Sequence, residues 1–95
     1  MKKTRYYVMG IGYDKDDKIT DYEKCFGDFD TYDEAKKLLL ELMRRDRTSF
    51  FEAAKDLYQL YIEIQECEED AEGSSCVDLL DIWWLLNRNY KESEN

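Results

Sequence analysis

The sequence predicts an α+β fold in which an antiparallel sheet of about four strands packs one helix on a face. The predicted order is ββαββ, with a short extra helical turn after the helix. Three patterns indicate it: apolar residues alternate with polar ones over 58–65, an apolar stripe at helical spacing follows Thr31, and two extended segments flank a polar turn at 14–18. A length of 95 residues fits a single domain spanning 1–95.

The first predicted unit is a β-hairpin. Thr4–Tyr13 is rich in β-branched and aromatic residues, which is typical of a strand. Asp14–Lys18 is a polar turn, and Ile19–Phe26 resumes an extended pattern. Gly10 and Gly12 fall on one face of the first strand, where the missing side chains allow another element to pack closely.

The helix has a clear start. Thr31 and Glu34 match a capping box, with Thr31 as the N-cap residue. We expect the helix to end near Asp46, and a second cap of Ser49 with Glu52 predicts a short helical turn through residue 54 or 55. The side chains expected to pack on the sheet form one stripe: Ala35, Leu38, Leu39, Leu42 and Met43.

The last predicted unit is a second hairpin. A strand over 58–67 is followed by a polar turn in 68–75 and by Val77–Leu86. A strand is favoured for Val77–Leu86 because it shields the edge of the preceding strand. The alternative is a helix capped by Ser75 and Asp78. Residues 87–95 are polar and are expected to fray.

The faces of the strand over Val77–Leu86 follow from strict alternation. One face is predicted to carry Leu80, Ile82 and Trp84. The other is predicted to carry Val77, Leu79, Trp83 and Leu85. Because both faces are apolar, one tryptophan would lie in the core and the other would be available for contacts.

Charge is distributed very unevenly. Between Leu57 and Leu86 the chain has eight acidic residues and neither Lys nor Arg, whereas the rest holds 15 acids and 14 bases. This window therefore accounts for nearly all of the net charge of −9. Like charges facing each other across strands are destabilising, so the pattern favours a cationic partner. The alternative is that the carboxylates only improve solubility.

No catalytic, cofactor or metal motif is found. The chain has no His, and its three cysteines lack a C-x-x-C spacing. Asp14, Asp16 and Asp17 suggest a calcium loop, but the residues in its sixth and twelfth positions are Ile19 and Cys25, where Gly and Glu are required. We therefore expect no catalytic residue, no bound metal and no cofactor.

The thiols and the hydropathy pattern bear on location. Cys67 and Cys76 flank the second turn and would face each other across the hairpin, either reduced or paired. Reduced thiols are expected by default, which agrees with a cytoplasmic protein. No apolar run is long enough for a signal peptide core or a membrane span. Basic residues are too few and too scattered for direct nucleic-acid binding.

Two stretches, Thr31–Met43 (TYDEAKKLLLELM) and Tyr58–Asp70 (YQLYIEIQECEED), resemble small acidic uncharacterised proteins of Gram-positive gut bacteria and their mobile elements. The resemblance supplies no catalytic residues. Some members of that group are similar to nucleic-acid mimics, including anti-CRISPR inhibitors that occupy cationic clefts. It therefore implies an inhibitor of a basic, nucleic-acid-binding protein.

Together these patterns predict a non-enzymatic binding module that engages a basic protein surface. A homodimer formed through Val77–Leu86 is the alternative, and an enzyme using a carboxylate pair is the least favoured hypothesis. Tyr61 and Trp83 are expected to anchor the contact within an acidic rim. The predicted partner-binding residues are Tyr61, Glu63, Glu66, Glu68, Glu69, Asp70, Glu72, Asp78, Asp81 and Trp83.

Overall fold

The predicted α+β class is confirmed, and the order of elements is ββαββ with a 3₁₀ helix after the α-helix. A computed structural model describes residues 2–52, 54, 56–88 and 90. The elements are β1 (Lys3–Tyr13), β2 (Ile19–Phe29), α1 (Tyr32–Met43), the 3₁₀ helix (Arg47–Phe51), β3 (Gln59–Asp70) and β4 (Gly73–Leu86).

The four strands form one antiparallel sheet in the order β2-β1-β3-β4. The two inner strands, β1 and β3, pair without a register shift over eleven positions, from Lys3 opposite Glu69 to Tyr13 opposite Gln59. Because side chains alternate along each strand, this register determines which residues share a face. We call the face covered by α1 the inner face and the opposite one the outer face.

The first hairpin closes as predicted, although β2 continues to Phe29 rather than ending at Phe26. The Asp14 carboxylate accepts hydrogen bonds from the backbone N–H groups of Asp16 at 2.9 Å and Lys18 at 3.0 Å. Asp17 has a φ of 62°, in the left-handed region that Asp tolerates better than most residues. The polar side chains of this segment thus define the turn.

The helix begins where the capping box predicts. The Thr31 side-chain oxygen accepts the N–H of Glu34 at 3.3 Å, and the Thr31 hydroxyl donates to the Glu34 carboxylate at 2.9 Å. The predicted end near Asp46 is wrong, because the helix stops at Met43. Met43 is consequently 45% exposed, so its predicted packing on the sheet is also wrong.

The second helical segment lies in the predicted region with a different boundary. Asp46, rather than Ser49, caps the 3₁₀ helix, and its carboxylate accepts the N–H of Thr48 at 3.1 Å. The Ser49 hydroxyl instead donates to the Asp46 carbonyl at 2.6 Å. The segment matters for the core because it ends in Phe51, which is buried.

The second hairpin has a strand over Val77–Leu86, so the favoured prediction is confirmed over the helix. Its turn is much tighter than the predicted 68–75 and consists of two residues between Asp70 and Gly73. The Asp70 carboxylate accepts the N–H of Glu72 at 2.9 Å, and Gly73 has a φ of 138°, which favours glycine. The polar residues after Cys67 therefore extend the two strands.

Register shifts in β4 change the predicted faces. Pairing slips between Ile64 and Gln65, so Leu79 lies opposite Gln65 on the outer face, together with Ile82 and Trp84. The predicted grouping of Leu79 with Trp83, and of Leu80 with Ile82, is therefore wrong. A β-bulge inserts an extra residue into one strand and reverses the alternation beyond it.

The chain after β4 starts in an ordered contact. Asn87 is buried; its side-chain amide donates to the Leu57 carbonyl at 2.8 Å and its backbone N–H donates to the Tyr58 carbonyl at 2.9 Å. The Tyr90 ring packs edge-on against Tyr58, with centroids 5.1 Å apart. The predicted tail of 87–95 otherwise lies mostly outside the described residues.

The core lies between the inner face of the sheet and the two helical segments. Gly12 allows close packing there, since a Cβ atom at this position would lie 2.4 Å from the Leu57 side chain. The buried core residues are Val8, Ala35, Leu39, Leu42, Phe51, Leu57, Leu60, Ile62, Ile64 and Leu85. One continuous apolar layer therefore joins α1 to β1, β3 and β4.

Leu39→Ala should lower the free energy of unfolding by about 2–5 kcal/mol, because it opens a cavity at a buried site. Leu40→Ala is the matched control: Leu40 is on the same helix and 47% exposed, so we expect a change within about 0.5 kcal/mol. Chemical denaturation of both variants measures the difference. Equal losses at the two positions would contradict the packing of α1.

Candidate functional site

The outer face of the sheet is the main candidate surface, because none of the described helical segments covers it; α1 packs on the other side. The register places residues of three strands together on this face. They are Met9, Ile11, Tyr13, Tyr61, Glu63, Leu79, Ile82 and Trp84.

Several large apolar side chains of the outer face are open to solvent. Ile82 is 57% exposed and Trp84 is 49% exposed, and Leu79 is exposed to a similar degree. Val77 and Leu86, which are also exposed, extend the apolar surface along β4. Contiguous exposed apolar surface of this kind usually marks an interaction site.

A buried carboxylate lies at the centre of this apolar face. Glu63 is only 8% exposed and is flanked across the strands by Met9 on β1 and Ile82 on β4. Burial raises the pKa of its carboxyl group above the ordinary value. Among the described residues none donates a hydrogen bond or an ion pair to it. No described side-chain oxygen is both fully buried and unpaired, so the Glu63 carboxylate oxygens keep contact with solvent although the residue as a whole is buried. Partial desolvation of a charge without a partner is unfavourable, so Glu63 is unusual for a purely structural residue.

Glu63 lines a cleft of about 370 Å³ on the outer face. The Tyr13 and Tyr61 rings meet edge to face there, with centroids 5.0 Å apart and planes at 82°. Two carboxylates and no Lys or Arg are present in the described lining, which consists of Tyr13, Asp17, Tyr61, Glu63, Leu79 and Ile82. The cleft therefore combines negative charge with aromatic and aliphatic walls.

Gln59 holds one end of the cleft in place. Its side-chain NH₂ donates to the Asp17 carboxylate at 2.6 Å and to the Asp14 carbonyl at 3.0 Å. Its side-chain carbonyl accepts the indole N–H of Trp84 at 2.8 Å. Since Gln59 is buried, these bonds fix the first turn relative to β4.

The two predicted anchors do not lie together. Tyr61 is on the outer face, where its directly opposite residue is Trp84. Trp83 is on the inner face, where it packs edge-on against Phe50 at 5.7 Å and lies beneath the Arg47 guanidinium at 6.0 Å. The expected pairing of Tyr61 with Trp83 is therefore replaced by Tyr61 with Trp84.

Two of the predicted acidic residues accept hydrogen bonds from side chains of other elements. Asp81 accepts hydrogen bonds from the Tyr32 hydroxyl and from the Lys36 ammonium, the latter at 3.1 Å. The Tyr32 bond, followed by Lys36, lowers the pKa of Asp81. Glu66 accepts the Tyr6 hydroxyl at 3.2 Å. Asp81 thus links α1 to β4, and Glu66 links β3 to β1.

The other predicted acids lie toward the end of the β3–β4 hairpin. Glu68 is within 3.5 Å of Lys2, and Asp78 accepts the backbone N–H of Leu79 at 2.9 Å. We call Glu69, Asp70, Glu72 and Asp78 the hairpin acids; within the described chain none of the four has a basic side chain in ion-pair contact. Asp70 is seven positions beyond Glu63 along β3, which is about 23 Å of extended chain. Of the predicted set, Tyr61 and Glu63 thus lie at the cleft and four are the hairpin acids, whereas the others contact neighbouring elements or lie on the inner face.

Cys67 and Cys76 are directly opposite each other across β3 and β4, as predicted. Both thiols are free, and Cys67 is buried. Burial, and secondarily the neighbouring Cys76, raises the pKa of Cys67 to about 11. A thiol with this pKa is protonated at neutral pH and is a poor nucleophile.

Metal-binding and membrane-spanning features were sought over the described residues. No group of three or more His, Cys, Asp or Glu side chains is assembled there to hold a metal ion. No described helix combines the length and apolar character needed to cross a membrane. Comparisons with protein families, curated proteins and solved structures find no match to this chain.

The residues predicted from sequence for this surface include Tyr61 and Glu63. They do not include Gln59, Asp17 and Trp84. Gln59 and Asp17 are 42 positions apart, and only the pairing of β1 with β3 brings them together. The sequence placed Glu63 only on the polar side of the alternating strand. Its apolar neighbours, Met9 and Ile82, are brought beside it by strand pairing. Its burial depends on side chains from β1 and β4.

Glu63→Gln should raise the midpoint of thermal unfolding at pH 7, because the amide carries no charge to desolvate. In the parent, the raised pKa means that the folded state binds the Glu63 proton more tightly than the unfolded chain does. Its stability therefore falls as pH rises from the ordinary value of 4.5 through the folded-state pKa. Thermal scans at several pH values measure this.

The difference between parent and Glu63→Gln should disappear below about pH 4, where both side chains are neutral. Glu72→Gln is the matched control, because Glu72 is exposed in the turn and should leave the unfolding midpoint nearly unchanged at every pH. A Glu63→Gln variant that is less stable than the parent at pH 7 would contradict the absence of a partner for this carboxylate.

Proposed function

We propose that this protein is a non-enzymatic binding module that engages a basic protein surface through its outer sheet face. The observation that supports this most strongly is Glu63, a largely buried residue at the centre of an exposed apolar face, whose carboxylate has no donor among the described residues and borders the cleft. A cationic partner would neutralise the carboxylate and cover the apolar side chains at the same time.

Affinity would come mainly from the apolar side chains. Trp84 and Ile82 are exposed on the outer face, and Tyr61 lies directly opposite Trp84. Aromatic side chains near the centre of a contact, surrounded by polar groups, are the usual energetic anchors of protein interfaces. Trp84 is also preorganised, because Gln59 fixes its indole N–H.

The hairpin acids would act mainly on the rate of encounter. They belong to the window of eight acids with no base, in a chain of net charge −9. One-signed surfaces steer oppositely charged partners and accelerate association, and salt screens this effect. In the finer form of the proposal, the carboxylates stand in for phosphates, so that the protein inhibits a nucleic-acid-binding protein in the cytoplasm.

A carboxylate-pair enzyme is less favoured. Glu63 and Asp17 both line the cleft, but the Asp17 carboxylate is engaged as an acceptor for Gln59 at 2.6 Å. A second specific observation favours self-association instead: β4 is an edge strand with exposed Val77 and Leu79. Unpaired edge strands readily add another strand. The charge on β3 and β4 opposes this, because it would repel a second copy.

Substituting Glu69, Glu72 and Asp78 together with Lys should slow association with basic proteins by about tenfold or more at low salt. These residues lie outside the core, so the fold should remain intact. Suitable probes are purified nucleic-acid-binding proteins of strongly basic pI, tested by surface plasmon resonance at 50 and 300 mM salt. The parent's association rate should fall steeply between the two salt concentrations.

The matched control substitutes Glu41, Glu52 and Asp56 with Lys, which changes the net charge equally at exposed positions on the helical segments and their connections. We expect the association rate of this control to fall much less than that of the hairpin variant. Equal falls in the association rate of the two variants would indicate that net charge alone, and not the position of the hairpin acids, sets the rate. Binding that neither variant affects would contradict a role for the acidic hairpin, and a mass that rises with concentration in sedimentation would favour self-association.

A further inference from the structure

We propose that the outer-face cleft is a receptor for a single arginine side chain of the partner protein. The inference rests on the proposed function and specifies the chemistry that its central site recognises. The cleft is the one lined by Tyr13, Asp17, Tyr61, Glu63, Leu79 and Ile82, with a volume of about 370 Å³.

The first requirement is a positive charge. Glu63 is more than nine-tenths buried, its carboxylate borders the cleft, and no described residue donates to it. Asp17 adds a second carboxylate to the same lining. A cation bound in this cleft would make charge-assisted hydrogen bonds, which are stronger than bonds between neutral groups.

The second requirement is a flat, weakly hydrated cation. The walls are the Tyr13 and Tyr61 rings and the Leu79 and Ile82 side chains. A guanidinium group stacks on aromatic rings and bonds a carboxylate with two parallel N–H groups, and it loses less hydration than an ammonium group. Its aliphatic stem suits the Leu79 and Ile82 side of the cleft. These properties favour arginine over lysine.

The shape of the cleft agrees with a side chain as the occupant. Its volume is at the lower end of the range for small-molecule sites, and it opens on a face whose surroundings are exposed and apolar. Gln59 fixes Asp17 through the 2.6 Å hydrogen bond, so that one wall is set before a ligand arrives. A preformed wall reduces the entropic cost of binding.

A second copy of this chain is a poorer occupant. A two-fold symmetric contact through the outer face would bring the same carboxylates toward each other, since both copies contribute the same surface. None of the described lining residues of the cleft is Lys or Arg, so the cleft carries no basic group of its own. The partner that fits is therefore a different protein that presents an arginine within an apolar surface.

The test titrates the ¹⁵N-labelled protein with three capped amino acids: Nα-acetyl-arginine amide, Nα-acetyl-lysine amide and Nα-acetyl-citrulline amide. Citrulline has nearly the shape of arginine without its charge. We expect arginine amide to shift the amide signals of Tyr13, Tyr61 and Glu63 with millimolar affinity. Citrulline amide should bind at least about tenfold more weakly, and lysine amide should fall between the two.

Glu63→Gln should weaken arginine amide binding by about tenfold or more, whereas the exposed Glu41→Gln on α1 should leave it unchanged. Both variants are compared by their amide spectra, which also report whether each is folded. Because Gln fits the same space as Glu, a folded variant isolates the charge.

Equal affinity for arginine and citrulline amides, or arginine binding that Glu63→Gln does not weaken, would overturn the arginine site. If basic proteins still bind and the hairpin variant still slows them, the proposed function stands while the arginine site fails. A mass that rises with concentration and falls back in Glu63→Gln would identify an arginine of a second copy as the occupant, and would overturn the assignment to a different protein.

Discussion

One short helix covers one face of a sheet built from long strands, and the rest of the structure depends on this mismatch. The helix has 12 residues and is therefore about 18 Å long, whereas the strands have 11 to 14 residues and extend for about 36–46 Å. The helix and the 3₁₀ segment cover the part of the inner face that lies away from the second turn, where Leu60, Ile62 and Leu85 are buried. The outer face and the end of the second hairpin stay uncovered, which agrees with a molecule of 52 × 29 × 18 Å.

Side chains of the outer face are shielded from solvent by their own neighbours only in part. Inner-strand residues such as Ile11 are buried by their neighbours, while Ile82 and Trp84 on the edge strand remain open. Glu63 falls between these two zones, close enough to apolar neighbours to lose water and close enough to the cleft to meet a ligand. The same geometry thus produces an exposed apolar surface and a desolvated charge at one place. This coincidence supports a cationic partner more strongly than the overall acidity does.

The local features of the fold could be predicted from sequence because each depends on neighbouring residues. The capping contact of Thr31 with Glu34 and the alternation over 58–65 both led to elements that the structure contains. The predicted end of α1 and the predicted bounds of the second turn were wrong, since polar residues fit helix ends, turns and exposed strands equally well. The structure places them at Met43 and at residues 71–72. The register shift after Ile64 was not predictable, because it arises from pairing with another strand.

The candidate site shows the same division. Tyr61 and Glu63 were found because they lie in the acidic strand, but Trp83 was preferred to Trp84, and strict alternation alone could not decide which tryptophan faces outward. Gln59 and Asp17 are joined across the sheet by a hydrogen bond that only the three-dimensional pairing creates. The acidic character of the surface was therefore predictable from sequence, whereas the cleft around Glu63 is visible only in the structure.

The central claim is that Glu63 is a largely buried residue whose carboxylate has no donor among the described residues, and its own titration tests that claim most directly. In protein labelled with ¹³C at glutamate side chains, the carboxyl carbon of Glu63 can be followed by NMR across the acid range. We expect a midpoint above the ordinary value of 4.5, because burial disfavours the charged form and no described residue compensates with a hydrogen bond. A midpoint at or below 4.5 would show a solvated or internally paired carboxylate and would contradict the account.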